Sequence, residues 1–204
     1  MFYDPANPGA DAPLSPFRAL VAPRPIGWIT TLDAQGRVNL APYSFYNGVS
    51  ESPPMVMFAP GGSYGSAPAK HSLLNVQQTG EFVVNVVSEE LKEAMNMTAA
   101  MVEPGVDEMK LAGLEPAPSR YVKPPRVARA PAALECKLWK IVELPGDGPQ
   151  KPYSLVIGTV VGIHIDERIV KDGRIDTGSF RPVGRLGYSE YTTVDNVWSM
   201  RRPE

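Results

Sequence analysis

Pro23-Arg24-Pro25-Ile26-Gly27-Trp28-Ile29-Thr30-Thr31, then Asp33-Ala34-Gln35-Gly36, then Val38-Asn39-Leu40-Ala41-Pro42-Tyr43-Ser44 is the stretch that decides the fold class. Its first limb is rich in β-branched and aromatic residues, which suit a pleated, half-buried surface. The middle residues form a turn. The second limb alternates apolar and polar residues in its first half, so the pair predicts a β-hairpin. Pro42 has no N–H to give a ladder and must lie at an edge or a bulge. Beyond the Pro53-Pro54 break, Met55-Val56-Met57-Phe58-Ala59 predicts a short, wholly apolar strand.

Working outward, Ser72 to Thr79 predicts a short helix that Gly80 would close. Phe82 to Val87 predicts a strand. Ser88, followed by Glu89 and Glu90, is a good N-cap for a second helix, with Leu91, Met95, Thr98 and Val102 on one face. The proline-rich run 103–131 reads as a surface excursion. Ala133 to Leu144 predicts a strand with Leu134, Cys136 and Leu138 on one side and Glu135 and Lys137 on the other. Ser154 to Ile165 predicts a long strand in which Gly158 and Gly162 permit sharp curvature, and Asp172-Gly173 marks a tight turn. Residues 1–17 hold Pro5, Pro8, Pro13 and Pro16 and form an irregular lead-in to one domain over 18–204. Six to eight strands with two short helices predict a mainly β fold, a β-barrel with short helices. No GxGxxG follows a strand, which argues against a self-contained Rossmann dinucleotide site.

Composition removes several functions. Of 204 residues, 20 are Lys or Arg and 22 are Asp or Glu, giving a net charge of −2 and no basic field for nucleic acid. The single cysteine, Cys136, excludes an intrachain disulfide and a thiolate zinc cluster, and reads as a core thiol. The two histidines, His71 and His164, are spaced unlike any local metal motif, so no metal is expected. No basic head with an apolar run opens the chain, and no stretch is long enough to span a membrane. The expectation is a cytoplasmic protein with no membrane partner.

The residue types that a phosphorylated aromatic ligand needs occur together. Lys70-His71-Ser72 at a helix start offers a cation, a hydroxyl and backbone N–H groups for a phosphate. Trp28, Ile29, Tyr43 and Phe45 offer a wall for a flat ring, with backbone edges near Gly48. By residue type alone, the same stretches also suit an ordinary apolar hairpin and a capped helix. Gly61-Gly62-Ser63-Tyr64-Gly65 matches GxSxG, and a serine hydrolase at Ser63 would draw on Asp147 and His164. Its context opposes that reading. Pro60 precedes the motif, Pro68 delays the helix, and a β-rich chain lacks the parallel sheet that a nucleophile elbow serves.

The hairpin stretch, continued by Ser44-Phe45-Tyr46-Asn47 and Pro53-Pro54-Met55-Val56, resembles the flavin reductase-like family, also called the flavoredoxin or split-barrel FMN-binding family. Lys70-His71-Ser72-Leu73-Leu74-Asn75, Gly80-Glu81-Phe82-Val83-Val84-Asn85, Ala112-Gly113-Leu114, Leu134-Glu135-Cys136 and Arg185-Leu186-Gly187 agree with it, over roughly residues 18–203. The resemblance implies a split barrel of Greek-key topology and a homodimer with non-covalent FMN near the subunit interface. It implies hydride transfer from NADH or NADPH and a possible redox partner protein. It places Trp28, Ile29, Thr30 and Thr31 along the ring, and Ser44, Phe45, Asn47, Val49 and Ser50 along its edge and ribityl chain. Lys70 and Ser72 fall near the phosphate. His71 departs from the family's usual aspartate, so Ser72 would cap the helix or the helix would start differently. Arg185 is open to either a flavin or phosphate contact or a carboxylate pair, His164 reads as structural, and the Met95, Met97 and Met101 group reads as helix packing. Hydride transfer to flavin needs no protein acid or base, so no catalytic side chain is assigned. Two other readings stay open, a flavoredoxin-type FMN electron carrier without NAD(P)H activity and a structural dimer without flavin.

Overall fold

In the computed structural model, residues 2–7, 9, 10, 12–61, 69–103, 105–146 and 153–203 are described. Seven strands build the main sheet: β1 (Gly27–Leu32), β2 (Val38–Tyr43), β3 (Tyr46–Glu51), β4 (Pro54–Phe58), β5 (Glu81–Val86), β6 (Ala132–Glu143) and β7 (Ser154–Ile165). The helices that bear on the argument are α1 (His71–Thr79), α2 (Lys92–Met97) and α3 (Glu108–Leu111). The strand order is β2-β1-β5-β6-β7-β4-β3, and every pairing is antiparallel.

That order forces the sheet to roll up. β2 and β3 lie on opposite edges, yet only Ser44 and Phe45 separate them in the chain. A flat sheet would hold those edges roughly 29 Å apart, while three residue steps reach about 10 Å at most. Only a curled sheet satisfies both, so a mainly β barrel is what the chain adopts. Curvature is concentrated where side chains are missing. The β6–β7 register shifts beside Gly158 and again at Gly162. A Cβ on Gly158 would come within 2.4 Å of the Phe82 ring.

β1 is buried on both faces, which is why its apolar run is continuous rather than alternating. Ile29 faces the barrel interior with Tyr43, Val56, Phe58, Phe82, Val84, Cys136 and Val156, and Leu73 and Val76 of α1 pack into the same cluster. Trp28 faces a second core with Leu40, Leu91, Met95, Met109 and Val127.

The hairpin takes the predicted register, from Gly27 opposite Tyr43 to Leu32 opposite Val38, and Pro42 lies on an edge strand. Gly80 closes α1 at φ 70° and bonds back to Val76. A Cβ is strained at that φ, so Gly80→Ala is expected to cost about 1 kcal/mol. A lower denaturant midpoint at unchanged slope would show it. Asp172 and Gly173 make the expected turn, both at positive φ.

Four expectations need correction. The run 103–131 is no surface excursion, because Met109, Leu114, Val122, Val127 and Ala130 are buried. Its apolar residues follow neither helical nor strand spacing and plug gaps one at a time, so periodicity does not reveal them. The helix after Ser88 breaks into a 3-10 turn, Glu89–Leu91, and the six residues of α2, and the Ser88 side chain makes no cap. Leu91, Met95 and Thr98 are buried as expected, but Met97 and Met101 are exposed and Val102 lies past the helix end. Glu135 does not face solvent. It is fully buried, accepts the N–H groups of Arg120, Tyr121 and Val122, and meets His164 Nε2 at 2.5 Å. Among the described residues, no helix is long and apolar enough to cross a membrane.

Candidate functional site

A cleft of about 690 Å³ opens along the outer side of β2. One wall is β2 itself, with Asn39, Ala41, Pro42 and Tyr43. The second is the start of α1, with Lys70, His71, Ser72 and Leu74. The third is formed by residues 98–103, Gly105, Val106 and Glu108. The size suits a cofactor-sized ligand.

Lys70 stands at the α1 N-cap position, and its side chain makes no cap. Its ammonium lies 5.8 Å from the centre of the Tyr43 ring. Burial lowers the ammonium to about 8, because a half-buried cation has lost part of its hydration. Leu73 and Leu74 bond back to the Lys70 carbonyl. The N–H groups of His71 and Ser72 precede the first intrahelical bond and point out of the helix start, where anions are favoured. Ser72 is 1% exposed, and its Oγ donates to Asn39 Oδ1 at 2.9 Å and accepts from Tyr43 Oη at 3.0 Å. Ser72 therefore does not cap the helix. Burial, with the Glu108 carboxylate beside it, pushes the Tyr43 phenol up, so the phenol keeps its proton to donate.

The residues that sequence reasoning assigned to one ligand fall into four places. Lys70 and Ser72 line the cleft. Trp28, Ile29, Thr30 and Thr31 lie behind its floor, each fully buried. Trp28 Nε1 donates to Thr98 Oγ1 at 2.8 Å, Asn85 Nδ2 donates to Thr30 Oγ1, and Asn75 Nδ2 donates to Thr31 Oγ1. Their side chains are committed to packing and cannot form a ligand wall in this conformation, although their main chain carries β2 and its face. Ser44, Phe45, Asn47, Val49 and Ser50 form the joint and the opposite edge strand. There Phe45 stacks edge-on against Tyr153 at 5.6 Å, and Val49 is 52% exposed at a bulge. Arg185 sits apart. Its guanidinium lies 4.4 Å over the Tyr191 ring and bonds the Tyr191 hydroxyl and the Tyr188 carbonyl, with no carboxylate pair among the described residues.

Sequence reading missed Asn39, Glu108 and the wall from Thr98 to Val106. They come from three segments far apart in the chain, and no spacing rule joins them. Asp107 was a usable signal, since it caps α3 by accepting the Met109 and Lys110 N–H groups. His164 is structural, as expected, through Glu135. Cys136 is a buried thiol whose pKa burial raises, with no nucleophilic character. Apart from Gly61, the GxSxG motif with Ser63 lies outside the described residues, as does Asp147.

Comparison with known proteins places this geometry. The model of the flavin reductase like domain matches residues 19–184. The solved structure of nitrilotriacetate monooxygenase component B from Bacillus cereus superposes with a TM-score of 0.87 at 29% identity, covering 98% of both chains. That of 2-nitrobenzoate 2-nitroreductase from Pseudomonas fluorescens superposes at 0.80 and 31% identity, covering 92% of this chain and 88% of its own. A split-barrel protein of Shewanella frigidimarina superposes at 0.81 and 24% identity over the whole of both chains and shares the fold.

Proposed function

The chain belongs to the flavin reductase-like family of flavin-linked oxidoreductases, and from that premise we propose that it binds FMN non-covalently and accepts hydride from NADH or NADPH. One observation carries the reading. A half-buried ammonium and a helix start line the same cleft as apolar side chains of β2, α1 and the third wall.

The donor set fits the cofactor. Lys70 and the N–H groups of His71 and Ser72 hold the phosphate, matching its charge with a cation and a helix dipole. Ala41, Pro42 and Leu74 give the apolar sides that exclude water. Ser44, Phe45, Asn47, Val49 and Ser50 lie outside the cleft lining, in the joint and edge strand β3, where among the described residues the main-chain groups on the side away from β4 have no ladder partner; they reach the ring only if the flavin extends past the mouth of the cleft. When bound, FMN supplies the hydride-accepting centre. The chain orients it, screens it from solvent and places N–H dipoles where negative charge develops. No side chain has to move a proton for that step.

The proposal includes a homodimer that brings a second copy against β3, since an exposed edge strand invites pairing. Val197, Trp198 and Met200 add exposed apolar surface in the tail.

The test is the visible spectrum of the purified protein before and after acid release and filtration, then steady-state oxidation of NADH and NADPH with FMN added. A filterable flavin spectrum with turnover on either nucleotide is the expected result. Bound flavin without turnover leaves an electron carrier. A colourless protein that fails to quench added FMN overturns the cofactor.

A further inference from the structure

The first turn of α1 carries the groups that face an anion, yet no side chain caps it. Lys70 at the N-cap position makes no cap, and Ser72 gives its hydroxyl to β2 instead. An uncapped helix start frays, because its leading N–H groups have no intrahelical acceptor. What fixes this one is a run of hydrogen bonds that ends on the third wall of the cleft.

The run has one direction. Tyr43 Oη donates to Ser72 Oγ at 3.0 Å, Ser72 Oγ donates to Asn39 Oδ1 at 2.9 Å, and Asn39 Nδ2 donates to Glu108 Oε1 at 3.3 Å. Glu108 opens α3, and its Oε2 accepts the Leu40 N–H at 2.9 Å. All four side chains are 7% exposed or less, so water does not readily stand in for a missing partner. A serine hydroxyl has a single hydrogen. Because Ser72 gives it to Asn39, Tyr43 must be the donor to Ser72, and Asn39 must show its oxygen to Ser72. The Asn39 NH2 group then needs an acceptor on its other side, and Glu108 is that acceptor. Two donors, the Asn39 amide and the Leu40 N–H, converge on Glu108, and a carboxylate offers an oxygen to each.

We propose that Glu108 and Asn39 are positioning residues that hold the start of α1, with Lys70 and the leading N–H groups, in place for an anionic group. The inference rests on the phosphate-end reading given above and deepens it, since neither residue is asked to touch the phosphate. Glu108 acts through Asn39 on Ser72, and Ser72 ties the first turn of α1 to β2. Tyr43 carries the effect to Lys70, whose ammonium lies 5.8 Å from the centre of the Tyr43 ring. The Ser72 hydroxyl is committed to Asn39, so Ser72 serves the phosphate through its N–H. A second polar tie of α1, from Asn75 Nδ2 to Thr31 Oγ1 at 2.9 Å, lies a turn further on and does not fix the first turn.

The test compares FMN with riboflavin, which lacks the phosphate. Glu108→Gln keeps the volume but leaves one acceptor oxygen for two donors. It should weaken FMN by about tenfold and leave riboflavin within about twofold. Ser72→Ala should do the same, and the double variant should bind no more weakly than the worse single one, since both changes break one chain. Asn39→Ala breaks the middle link and must show the same split if Glu108→Gln does not fold. A second measurement needs no flavin. The Leu73 and Leu74 N–H groups bond the Lys70 carbonyl, and the Gly80 N–H bonds the Val76 carbonyl at the other end of α1. In Glu108→Gln, hydrogen exchange should quicken about tenfold at Leu73 and Leu74 and stay unchanged at Gly80. Equal loss of both flavins, additive losses in the double variant, or exchange that is unchanged or rises evenly along α1 overturns the proposal. Faster exchange confined to the first turn, in a protein that binds neither flavin, upholds the positioning and overturns the FMN reading instead.

Discussion

Glu135→Leu is expected to destabilise the fold by about 3 kcal/mol or more, measured by denaturant unfolding at neutral pH. The carboxylate is fully buried, and four donors converge on it. Oε1 takes the Arg120 N–H at 2.7 Å and meets His164 Nε2 at 2.5 Å, and Oε2 takes the Tyr121 N–H at 2.5 Å and the Val122 N–H at 3.1 Å. Leucine fills the space but accepts nothing. A buried donor left unpaired costs about 1–3 kcal/mol, and Val122 is itself buried, so its N–H has no easy route to water. The segment 120–122 lies across β7, where a Cβ on Gly162 would come within 2.9 Å of the Tyr121 ring, and it should loosen from the sheet. Glu135 also gives a pH signature. Burial alone would raise its carboxyl, but hydrogen bonds from Arg120, His164, Tyr121 and Val122 outweigh burial and hold it below the ordinary 4.5. The folded pKa is depressed, so the stabilisation is full above 4.5 and is lost as the pH falls through the folded value. Glu135→Gln should lack that acid-side loss. A Leu variant as stable as wild type would show that water or a shifted loop replaces the carboxylate.

Lys70→Ala should weaken FMN by about one to two decades while leaving riboflavin nearly untouched. A charge-assisted phosphate contact contributes roughly 1.5–3 kcal/mol. Wild type should also lose its preference for FMN over riboflavin as the pH rises past about 8, where the desolvated Lys70 ammonium gives up its proton. The sign follows from linkage: the phosphate favours the ammonium, so binding above that pH takes up a proton. Lys70→Ala should lack this alkaline decline. Equal loss for both flavins would place Lys70 against the ring or outside the site.

How much of this was legible in the sequence depended on how much of each element's pattern its own neighbours dictate. β1, β2, β4, β6 and β7 carry β-branched residues between Gly and Pro breaks, and each was readable within a residue or two. β3 was not, because Asn47, Gly48 and Ser50 have low strand propensity and lie on an exposed edge, where pairing with β4 decides their conformation. Glu135 obeys strict alternation, yet its solvent side is roofed by a loop fifteen residues earlier in the chain, which no local pattern reports. The site divides the same way. Lys70 was recoverable because one helix start holds it, whereas Glu108 enters the site only through a contact with Leu40 across 68 residues. Trp28 and Ile29 show the converse: family likeness assigns them to a ligand, while burial on both faces of β1 keeps their side chains out of the cleft.

The strand order also carries a timetable. β1, β2 and β5 pair among themselves, and β3 pairs with β4; Ser44 and Phe45 tie the two groups in the chain, but among the described residues the hydrogen-bond ladder joins them through β6 and β7, which begin at Ala132. A ribosome therefore delivers the cleft wall of β2 and α1, and the facing edge strand β3, well before the hairpin that sets their spacing. Until that hairpin emerges, β4 and β5 each expose one side to solvent or a chaperone. A nascent chain stalled near residue 131 would hold Lys70, Ser72 and Glu108 but lack the frame that shapes them into a cleft.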